Sequence, residues 1–288
     1  MLAYIKLLRP SHWIKNAFVF LPVFFAGELF SNDKFFHALA GFIIFSLAAS
    51  AVYALNDVFD VEEDRKHLEK RKRPIASGKI SIKAAVFIAI VLFVIALGAA
   101  YYIHFIFFIC ISIYIVLNLA YSFGLKNIAI LDLFIVAFGF ILRVIGGGEL
   151  SAVPVSHWLL IMVLLLSLFL VLAKRRDDLI CVENGSKSIR KSSSGYNLDF
   201  INACLTLLSA VMIVSYIMYT VSDVVQARYE SEYLFLTCIF VIAGLMRYLQ
   251  ITMVEKKSGS PIKILYKDVF LLMVLFGWVL SFYILLYV

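Results

Sequence analysis

Carboxylate side chains accumulate where the second apolar segment of the chain ends. Asn56 is followed by Asp57, Asp60 and Asp64, so the three aspartates are spaced three and four residues apart. On a continuous helix this spacing places the side chains along one face. Carboxylates so close to lipid are unfavourable unless a cation holds them, and Mg²⁺ binds one or two carboxylates together with phosphate oxygens of a substrate. The pattern therefore predicts a Mg²⁺ site at Asp57, Asp60 and Asp64, beside Asn56.

Basic residues follow these acids directly. Lys66 precedes the run 70–78, which reads KRKRPIASG and contains Arg73. Arginine binds phosphate through two parallel hydrogen bonds, and glycine permits close approach of the backbone. We therefore expect a diphosphate site, with Asp57 and Asp60 in catalytic roles and with Lys66 and Arg73 on phosphate oxygens. A charged, solvated loop is the alternative, but it leaves the acids inside the apolar run unexplained.

A second charged motif closes the sixth apolar segment. Residues 174–178 read KRRDD. Lys174 lies one helical turn from Asp178, so a salt bridge at a helix end is one interpretation. The other is a second set of phosphate contacts facing the first motif, in which Lys174 orients a phosphate for catalysis while Arg175 and Asp178 bind substrate. The spacing alone leaves both interpretations open.

Single polar residues in or near other apolar segments are further candidates. Ionisable side chains inside such a segment are functional candidates by default. Asp132 is expected in the site, whereas Arg143 either joins it or pairs with Glu149. Lys15 and Asn16 either anchor the first segment at the membrane interface or point into a cavity. The full set of expected substrate contacts is Lys15, Asn16, Asn56, Lys66, Arg73, Tyr121, Lys126, Asp132, Arg175, Asp178 and Tyr196.

Nine apolar segments are available to position these side chains. Of the 288 residues, 63% are apolar and 16% are charged, whereas soluble domains are nearer half apolar. Each segment has about 15–22 residues, close to the length that crosses the hydrocarbon, and is apolar on all sides, which favours helices over the alternating strands of a barrel. No cleavable signal peptide is evident. The segments lie near 16–30, 36–56, 84–102, 105–122, 129–147, 156–173, 200–221, 233–251 and 268–287.

The connections between the segments alternate in charge. Lysine and arginine concentrate in four of them, 58–83, 123–128, 174–199 and 254–267. The only lysine or arginine residues in the intervening links, 31–35, 103–104, 148–155 and 222–232, are Lys34 and Arg228. With nine crossings, the positive-inside rule places the N terminus and every basic loop in the cytoplasm and the C terminus outside. The rule also accounts for the net charge of +7 without nucleic acid as a partner. We expect one catalytic domain over 1–288 in the cell membrane, with loops 58–83 and 174–199 capping the active site.

Several short motifs resemble those of a known family. The pattern NDxxDxxxD from Asn56, with RPIASG from Arg73, resembles the UbiA superfamily of intramembrane prenyltransferases. The opening RPxxWxKN from Arg9 and the dipeptide KR at Lys174 resemble its decaprenyl-phosphate phosphoribosyltransferase branch. The chain departs from that branch at Asp178, where glutamate is expected, and it lacks the second aspartate-rich motif of the aromatic prenyltransferases.

The resemblance implies a fold and an activity. The fold is expected to be all-α, a polytopic membrane protein with nine transmembrane helices around a cytoplasm-facing cavity. The activity is expected to be Mg²⁺-dependent transfer of 5-phosphoribosyl from 5-phosphoribosyl diphosphate to a polyprenyl phosphate of the decaprenyl type, releasing diphosphate, for synthesis of cell-envelope arabinan precursors. A homo-oligomer is compatible with this interpretation.

Two alternatives remain open on the sequence. One is a Mg²⁺-dependent prenyltransferase that moves a prenyl group from its diphosphate to an aromatic acceptor. The other is a transporter, which predicts acids near the middle of the membrane or broken helices in paired positions. The acids of this chain cluster at one face of the predicted bundle instead.

Overall fold

The computed structural model describes residues 2–66, 70–183, 195–255, 264 and 267–287. No β-strand occurs in these residues, and the fold is all-α. The α-helices are α1 (Leu2–Leu8), α2 (Leu21–Phe25), α3 (Asn32–Phe59), α4 (Val61–Lys66), α5 (Ile82–Ile103), α6 (Phe105–Phe123), α7 (Leu131–Leu150), α8 (His157–Glu183), α9 (Leu198–Thr220), α10 (Asp223–Tyr229), α11 (Cys238–Met253) and α12 (Val269–Tyr287). More tightly wound 3-10 helices occupy Pro10–Phe20, Lys70–Lys72, Leu125–Asn127 and Glu232–Thr237.

Within the described residues, eight helices are long and apolar enough to cross a membrane. They correspond to the second through ninth apolar segments, so the prediction of a helical, multi-pass membrane protein is confirmed. The first segment, 16–30, has a different form, because the 3-10 helix Pro10–Phe20 (the N-terminal 3-10 helix) runs directly into α2. The sixth segment is longer than predicted. The helix α8 continues to Glu183 and carries the motif 174–178 on the helix rather than in a loop.

The chain divides into two compact units. The first comprises Met1–Lys126 and Phe138–Val155, and the second comprises Asn127–Ala137 and Ser156–Val288. The helix α7 therefore supplies its first seven residues to the second unit and the remainder to the first. The expectation of one catalytic domain over 1–288 stays a prediction.

Each unit has its own apolar core. In the first, the ring of Phe45 lies edge-on to Phe107 at 5.6 Å and to Tyr114 at 5.7 Å between ring centroids, an arrangement that aromatic rings prefer. In the second, Phe169 and Leu205 are almost fully buried among other apolar side chains. The polar side chains described below are held in place by these cores.

The unusual length of the N-terminal 3-10 helix follows from its packing on α3. A 3-10 helix repeats every three residues, so Trp13, Asn16 and Val19 form one row. Trp13 Nε1 donates to Ser50 Oγ at 3.1 Å, and Asn16 Nδ2 donates to Ser46 Oγ at 2.9 Å. Three residues of a 3-10 helix and four residues of an α-helix both rise about 6 Å. The two antiparallel rows therefore stay in register over successive turns.

Glycines allow this helix to pack closely against its neighbours. A Cβ atom added at Gly41 of α3 would meet Val19 Cγ1 at 3.1 Å. A Cβ atom added at Gly147 of α7 would overlap the carbonyl oxygen of Val19, and one at Gly146 would press on the ring of Phe107 at 3.0 Å. The absence of side chains at Gly146 and Gly147 therefore permits this close packing of α7.

Replacing Gly147 by alanine tests this packing. We expect Gly147→Ala to destabilise the protein by about 1–3 kcal/mol, the usual effect of overpacking. The added methyl group would overlap the backbone carbonyl of Val19, which cannot rotate away as a side chain can. Gly98→Ala in α5 is the matched control, since a Cβ atom there meets nothing within 4 Å. Thermal unfolding of the purified protein in detergent measures both. Equal melting temperatures for the two variants would contradict the packing argument.

Candidate active site

Two aspartates of the acidic motif share one arginine. Asp57 near the end of α3 and Asp64 in α4 are both 2% exposed. They are seven residues apart, close to two helical turns, so their side chains point the same way. One guanidinium nitrogen of Arg73 donates to Asp57 Oδ1 at 2.9 Å and to Asp64 Oδ2 at 2.6 Å. Arg9, just before the N-terminal 3-10 helix, also pairs with Asp57. Two carboxylates and two guanidinium groups thus form an electrically neutral cluster, which we call the acidic cluster.

The turn that follows Arg73 holds it in this position. Ile75 and Ile80 are buried in the apolar core beneath the turn. Gly78 adopts a positive φ of 75°, which non-glycine residues rarely adopt, and its amide donates to Ile75 O at 3.0 Å. A Cβ atom on Gly78 would meet nothing within 4 Å. Gly78 therefore permits the turn and faces open space, and close approach of its backbone to a phosphate stays a prediction.

The third aspartate has different partners. Lys126 Nζ donates to Asp60 Oδ1 at 2.6 Å, and Asn56 Nδ2 donates to Asp60 Oδ2 at 3.1 Å. The side-chain oxygen of Asn56, Oδ1, in turn accepts from Ser122 Oγ at 3.1 Å. Asp60 points elsewhere because it is the C-cap of α3 and has left the helical conformation. Its side chain therefore pairs with Lys126 and does not contact Arg73, which joins the other two aspartates.

The arrangement fits a divalent cation at two of the three acids. Asp57 and Asp64 offer carboxylate oxygens, and a single cationic nitrogen already lies between them. Mg²⁺ prefers one or two carboxylates and completes its shell with water and phosphate oxygens. Among the described residues, no three His, Cys, Asp or Glu side chains converge on one ion position. A shared site for all three aspartates stays a prediction.

A second cluster, which we call the Asp132 cluster, lies wholly within the second unit. Asp132 on α7 is completely buried, and Arg175 on α8 is 3% exposed. Arg175 Nε donates to Asp132 Oδ2 at 2.9 Å, and Arg175 NH1 donates to Asp178 Oδ2 at 3.2 Å. Tyr196 OH donates to Asp132 Oδ1 at 2.7 Å and accepts from the amide of Ile130 at 2.5 Å. Four predicted substrate contacts, Asp132, Arg175, Asp178 and Tyr196, are thus brought together.

Burial raises the pKa of Tyr196 to about 12, and the neighbouring Asp132 carboxylate acts in the same direction. The phenol therefore stays protonated at neutral pH and remains a donor to Asp132. Because Asp132 has both oxygens occupied, its part in the cluster is to hold Arg175 and Tyr196 in fixed positions.

The other predicted residues are placed separately. Lys174 and Lys66 are exposed, whereas Lys15 and Tyr121 are half-buried. Asn16 is 1% exposed, and its side-chain amide donates to Ser46 Oγ and accepts from Arg143 Nε. The i,i+4 pair considered for Lys174 and Asp178 is replaced by the i,i+3 pair of Arg175 with Asp178.

Two arginines were missed as site residues. Arg9 stands in the opening motif, where the dipeptide Arg-Pro was the available signal, yet its pairing with Asp57 is long-range. Arg176 is buried and joins α8 to α9 and α11, since Nε donates to Asn202 Oδ1 at 2.7 Å and NH1 donates to Thr252 O at 2.5 Å. Nothing in the local sequence distinguishes Arg176 from its two basic neighbours.

Comparison with known proteins identifies the family. The model of the UbiA prenyltransferase family matches residues 17–270. The chain belongs to the UbiA prenyltransferase family. The acidic cluster and the Asp132 cluster both fall within the matched range, apart from Arg9.

Relatives of known name extend over nearly the whole of this UbiA family member. A decaprenyl-phosphate phosphoribosyltransferase from Mycolicibacterium smegmatis is 34% identical over 286 residues, covering 96% of this chain and 89% of the relative. One from Mycobacterium tuberculosis (strain ATCC 25618 / H37Rv) is 31% identical over 279 residues, covering 96% and 91%.

Solved structures share the UbiA fold. The structure of a UbiA homolog from Archaeoglobus fulgidus bound to GPP and Mg²⁺ superposes with a TM-score of 0.70 at 19% identity, over 99% of this chain and 100% of that one. At this identity the likeness shows the fold alone.

The buried ion pair of the Asp132 cluster can be tested by a double-mutant cycle. We expect Arg175→Gln to destabilise the protein by about 3 kcal/mol or more, because it leaves the carboxylate of Asp132 buried without its cation. Adding Asp132→Asn should restore part of that loss. Arg65→Gln is the control, since the Arg65–Glu62 pair is exposed and such pairs contribute about 0–1 kcal/mol.

Thermal unfolding in detergent reads out the whole cycle. An Arg175→Gln protein as stable as the Arg65→Gln protein would show that Asp132 does not depend on Arg175. A double variant no more stable than Arg175→Gln alone would show that the loss is not electrostatic.

Proposed function

We propose that this protein transfers the 5-phosphoribosyl group of 5-phosphoribosyl diphosphate to a polyprenyl phosphate and releases diphosphate. The observation that carries the proposal is the similarity to relatives named decaprenyl-phosphate phosphoribosyltransferase, at 34% identity over 96% of the chain. The product is a lipid-linked phosphoribose, the class of compound from which cell-envelope arabinan precursors are made.

The charge of the acidic cluster supports a metal requirement. Asp57 and Asp64 are balanced by Arg9 and Arg73, so the cluster carries no net positive charge to attract a diphosphate. Bound Mg²⁺, held by Asp57 and Asp64, would supply the charge that stabilises the departing diphosphate. With the carboxylates engaged in this way, the guanidinium groups of Arg9 and Arg73 would be free to donate to phosphate oxygens and would position the leaving group.

The transfer itself makes modest demands on the protein. The bond from ribose carbon 1 to the diphosphate oxygen breaks, and an oxygen of the lipid phosphate forms a bond to the same carbon from the opposite face. Because a phosphate is already anionic, the attacking oxygen needs no general base. The residues act by alignment and by placement of charge, which suits clusters of fixed arginines and lysines.

The remaining cationic groups are assigned to phosphate binding. Lys126 is held by Asp60 at the end of α3, and we propose that a phosphate oxygen of the substrate takes over the ammonium group. In the second unit, Asp132 and Tyr196 fix Arg175 for the same kind of contact, next to the exposed Lys174. Phosphate contacts by Lys15, Lys66, Tyr121 and Asp178, a direct substrate contact by Asn16, and a homo-oligomeric state stay predictions.

Nine crossings are proposed, with the N-terminal 3-10 helix and α2 as the first. Arg9 pairs with Asp57 at one end of α3, whereas Phe20 contacts Phe35 at the other, with 5.8 Å between the ring centroids. The chain from Arg9 to Phe20 therefore runs along most of the length of a helix that can span the membrane. This count leaves the N terminus and the basic loops on one side, and the positive-inside rule makes that side cytoplasmic.

The proposed reaction is tested by removing one carboxylate charge at a time. We expect Asp57→Asn and Asp64→Asn to lower the transfer rate at least about 100-fold, the scale of loss when charge stabilisation at a leaving group is removed. Glu63→Gln is the matched control, because Glu63 precedes Asp64 in α4 but is exposed. Membranes containing each variant are incubated with radiolabelled 5-phosphoribosyl diphosphate, polyprenyl phosphate and Mg²⁺, and labelled lipid is counted.

Two outcomes would contradict the proposal. Absence of labelled lipid with the unmodified protein, together with product from a prenyl diphosphate and an aromatic acceptor, would replace it by the prenyltransferase alternative. Asp57→Asn and Asp64→Asn variants that turn over as fast as Glu63→Gln would remove the metal assignment.

A further inference from the structure

A buried arginine in the first unit has no acidic partner among the described residues. Arg143 of α7 is 4% exposed. Its Nε donates to Asn16 Oδ1 at 2.7 Å, its NH1 donates to Gly139 O at 2.5 Å, and its NH2 donates to Tyr114 OH at 3.2 Å. All three acceptors are neutral. The pairing considered for Arg143 with Glu149 is not formed, and among the residues that the structure describes no carboxylate bonds to Arg143.

Aromatic rings surround the rest of this guanidinium group. Its central carbon lies 4.7 Å from the ring centroid of Tyr114, 5.4 Å from that of Phe45 and 5.5 Å from that of Phe140. Such contacts stabilise a cation, by about 2 kcal/mol when it is desolvated. They do not cancel its charge. Since a guanidinium cannot lose its proton in a protein, the positive charge remains inside the apolar part of the unit.

A second cation, Lys15, directly precedes the residue that bonds Arg143, and within the described chain it too lacks a partner. Residues 12, 15 and 18 form another row of the N-terminal 3-10 helix. The ring of His12 contacts Tyr53 at 5.3 Å, and that of Phe18 contacts Phe140 at 4.8 Å between ring centroids. Lys15 lies between these two contacts, and the charges of Arg143 and Arg9 both act on it. Within the described chain, Lys15 forms no hydrogen bond or ion pair.

Like charges that are close together and partly desolvated repel each other unless an anion lies between them. In the acidic cluster such an anion is present, because each arginine pairs with a carboxylate. Lys15 and Arg143 have no such partner in the part of the chain that the structure describes. Three of the five N–H groups of Arg143 are occupied, so two remain to donate to an oxygen anion.

We propose that Lys15 and Arg143 form an anion subsite that binds a phosphate monoester group of a substrate. This inference rests on the proposed function, since both substrates of that reaction carry such a group: the 5-phosphate of the ribose and the phosphate of the polyprenyl lipid. Asn16 is a positioning residue for Arg143, because its amide joins Arg143 to Ser46.

Binding to single probes separates the two sources of phosphate. The purified protein in detergent, without turnover, is titrated with ribose 5-phosphate, with a short-chain polyprenyl phosphate and with inorganic diphosphate plus Mg²⁺. Lys15→Gln removes one cation, and it breaks no hydrogen bond or ion pair within the described chain. Arg143→Met removes the other cation. Lys6→Gln is the control, because Lys6 is exposed on α1 in the same unit.

We expect Lys15→Gln to lose at least about tenfold in affinity for one monoester, the effect of losing one charge-assisted hydrogen bond of about 1.4 kcal/mol or more. Affinity for diphosphate plus Mg²⁺ should be unchanged. A loss for ribose 5-phosphate assigns the subsite to the donor, and a loss for polyprenyl phosphate assigns it to the acceptor. Arg143→Met should lose affinity for the same probe, and Lys15→Gln decides the question if Arg143→Met does not fold.

Equal affinity of Lys15→Gln and Lys6→Gln for both monoesters would overturn the inference while leaving the proposed transfer intact. A wild-type protein that makes no labelled lipid would instead remove the proposed reaction. A selective loss of monoester affinity in Lys15→Gln would then still support an anion subsite.

Discussion

The pairing of Asp57 with Arg9 and Arg73 joins three distant parts of the chain. It connects the residue before the N-terminal 3-10 helix, the end of α3 and the turn after α4. A carboxylate at the end of a membrane helix is tolerated because two cations pair with it. Sharing Arg73 with Asp64 extends the same neutralisation to α4. The end of α3, the entry of the chain into the membrane and the basic turn are therefore fixed by one group of charges.

The sequence was sufficient to predict the fold class and much of the candidate site. Uniformly apolar runs identify helices that cross a membrane, because a bilayer leaves the backbone few alternatives. The spacing of Asp57 and Asp64 was also informative, since a separation of seven residues survives a small break in the helix. Asp60 shows the limit of that argument. It lies at the break itself, so the direction of its side chain depends on Lys126, which is distant in the sequence.

Pairings between distant residues could not be predicted in the same way. The spacing of Lys174 and Asp178 suggested a local salt bridge, yet Arg175 takes Asp178 and also reaches Asp132 on another helix. One turn of helix offers several nearly equivalent local partners, and tertiary packing chooses among them. Arg143 illustrates the same point, because its bond to Asn16 depends on how α7 packs against a segment 127 residues earlier in the chain.

The matched rise of the N-terminal 3-10 helix and α3 restricts how this part of the chain can change in evolution. Its eleven residues cover about 22 Å, whereas an α-helix of equal length covers about 16 Å. Deleting or inserting one residue between Pro10 and Phe20 would turn the following row by about 120° and bring Val19 out of the groove lined by Gly41 and Gly147. Substitutions that keep small or hydrogen-bonding side chains are compatible with the packing, but length variation is not. Homologues that retain this packing are therefore expected to differ in residue type here while keeping the number of residues constant.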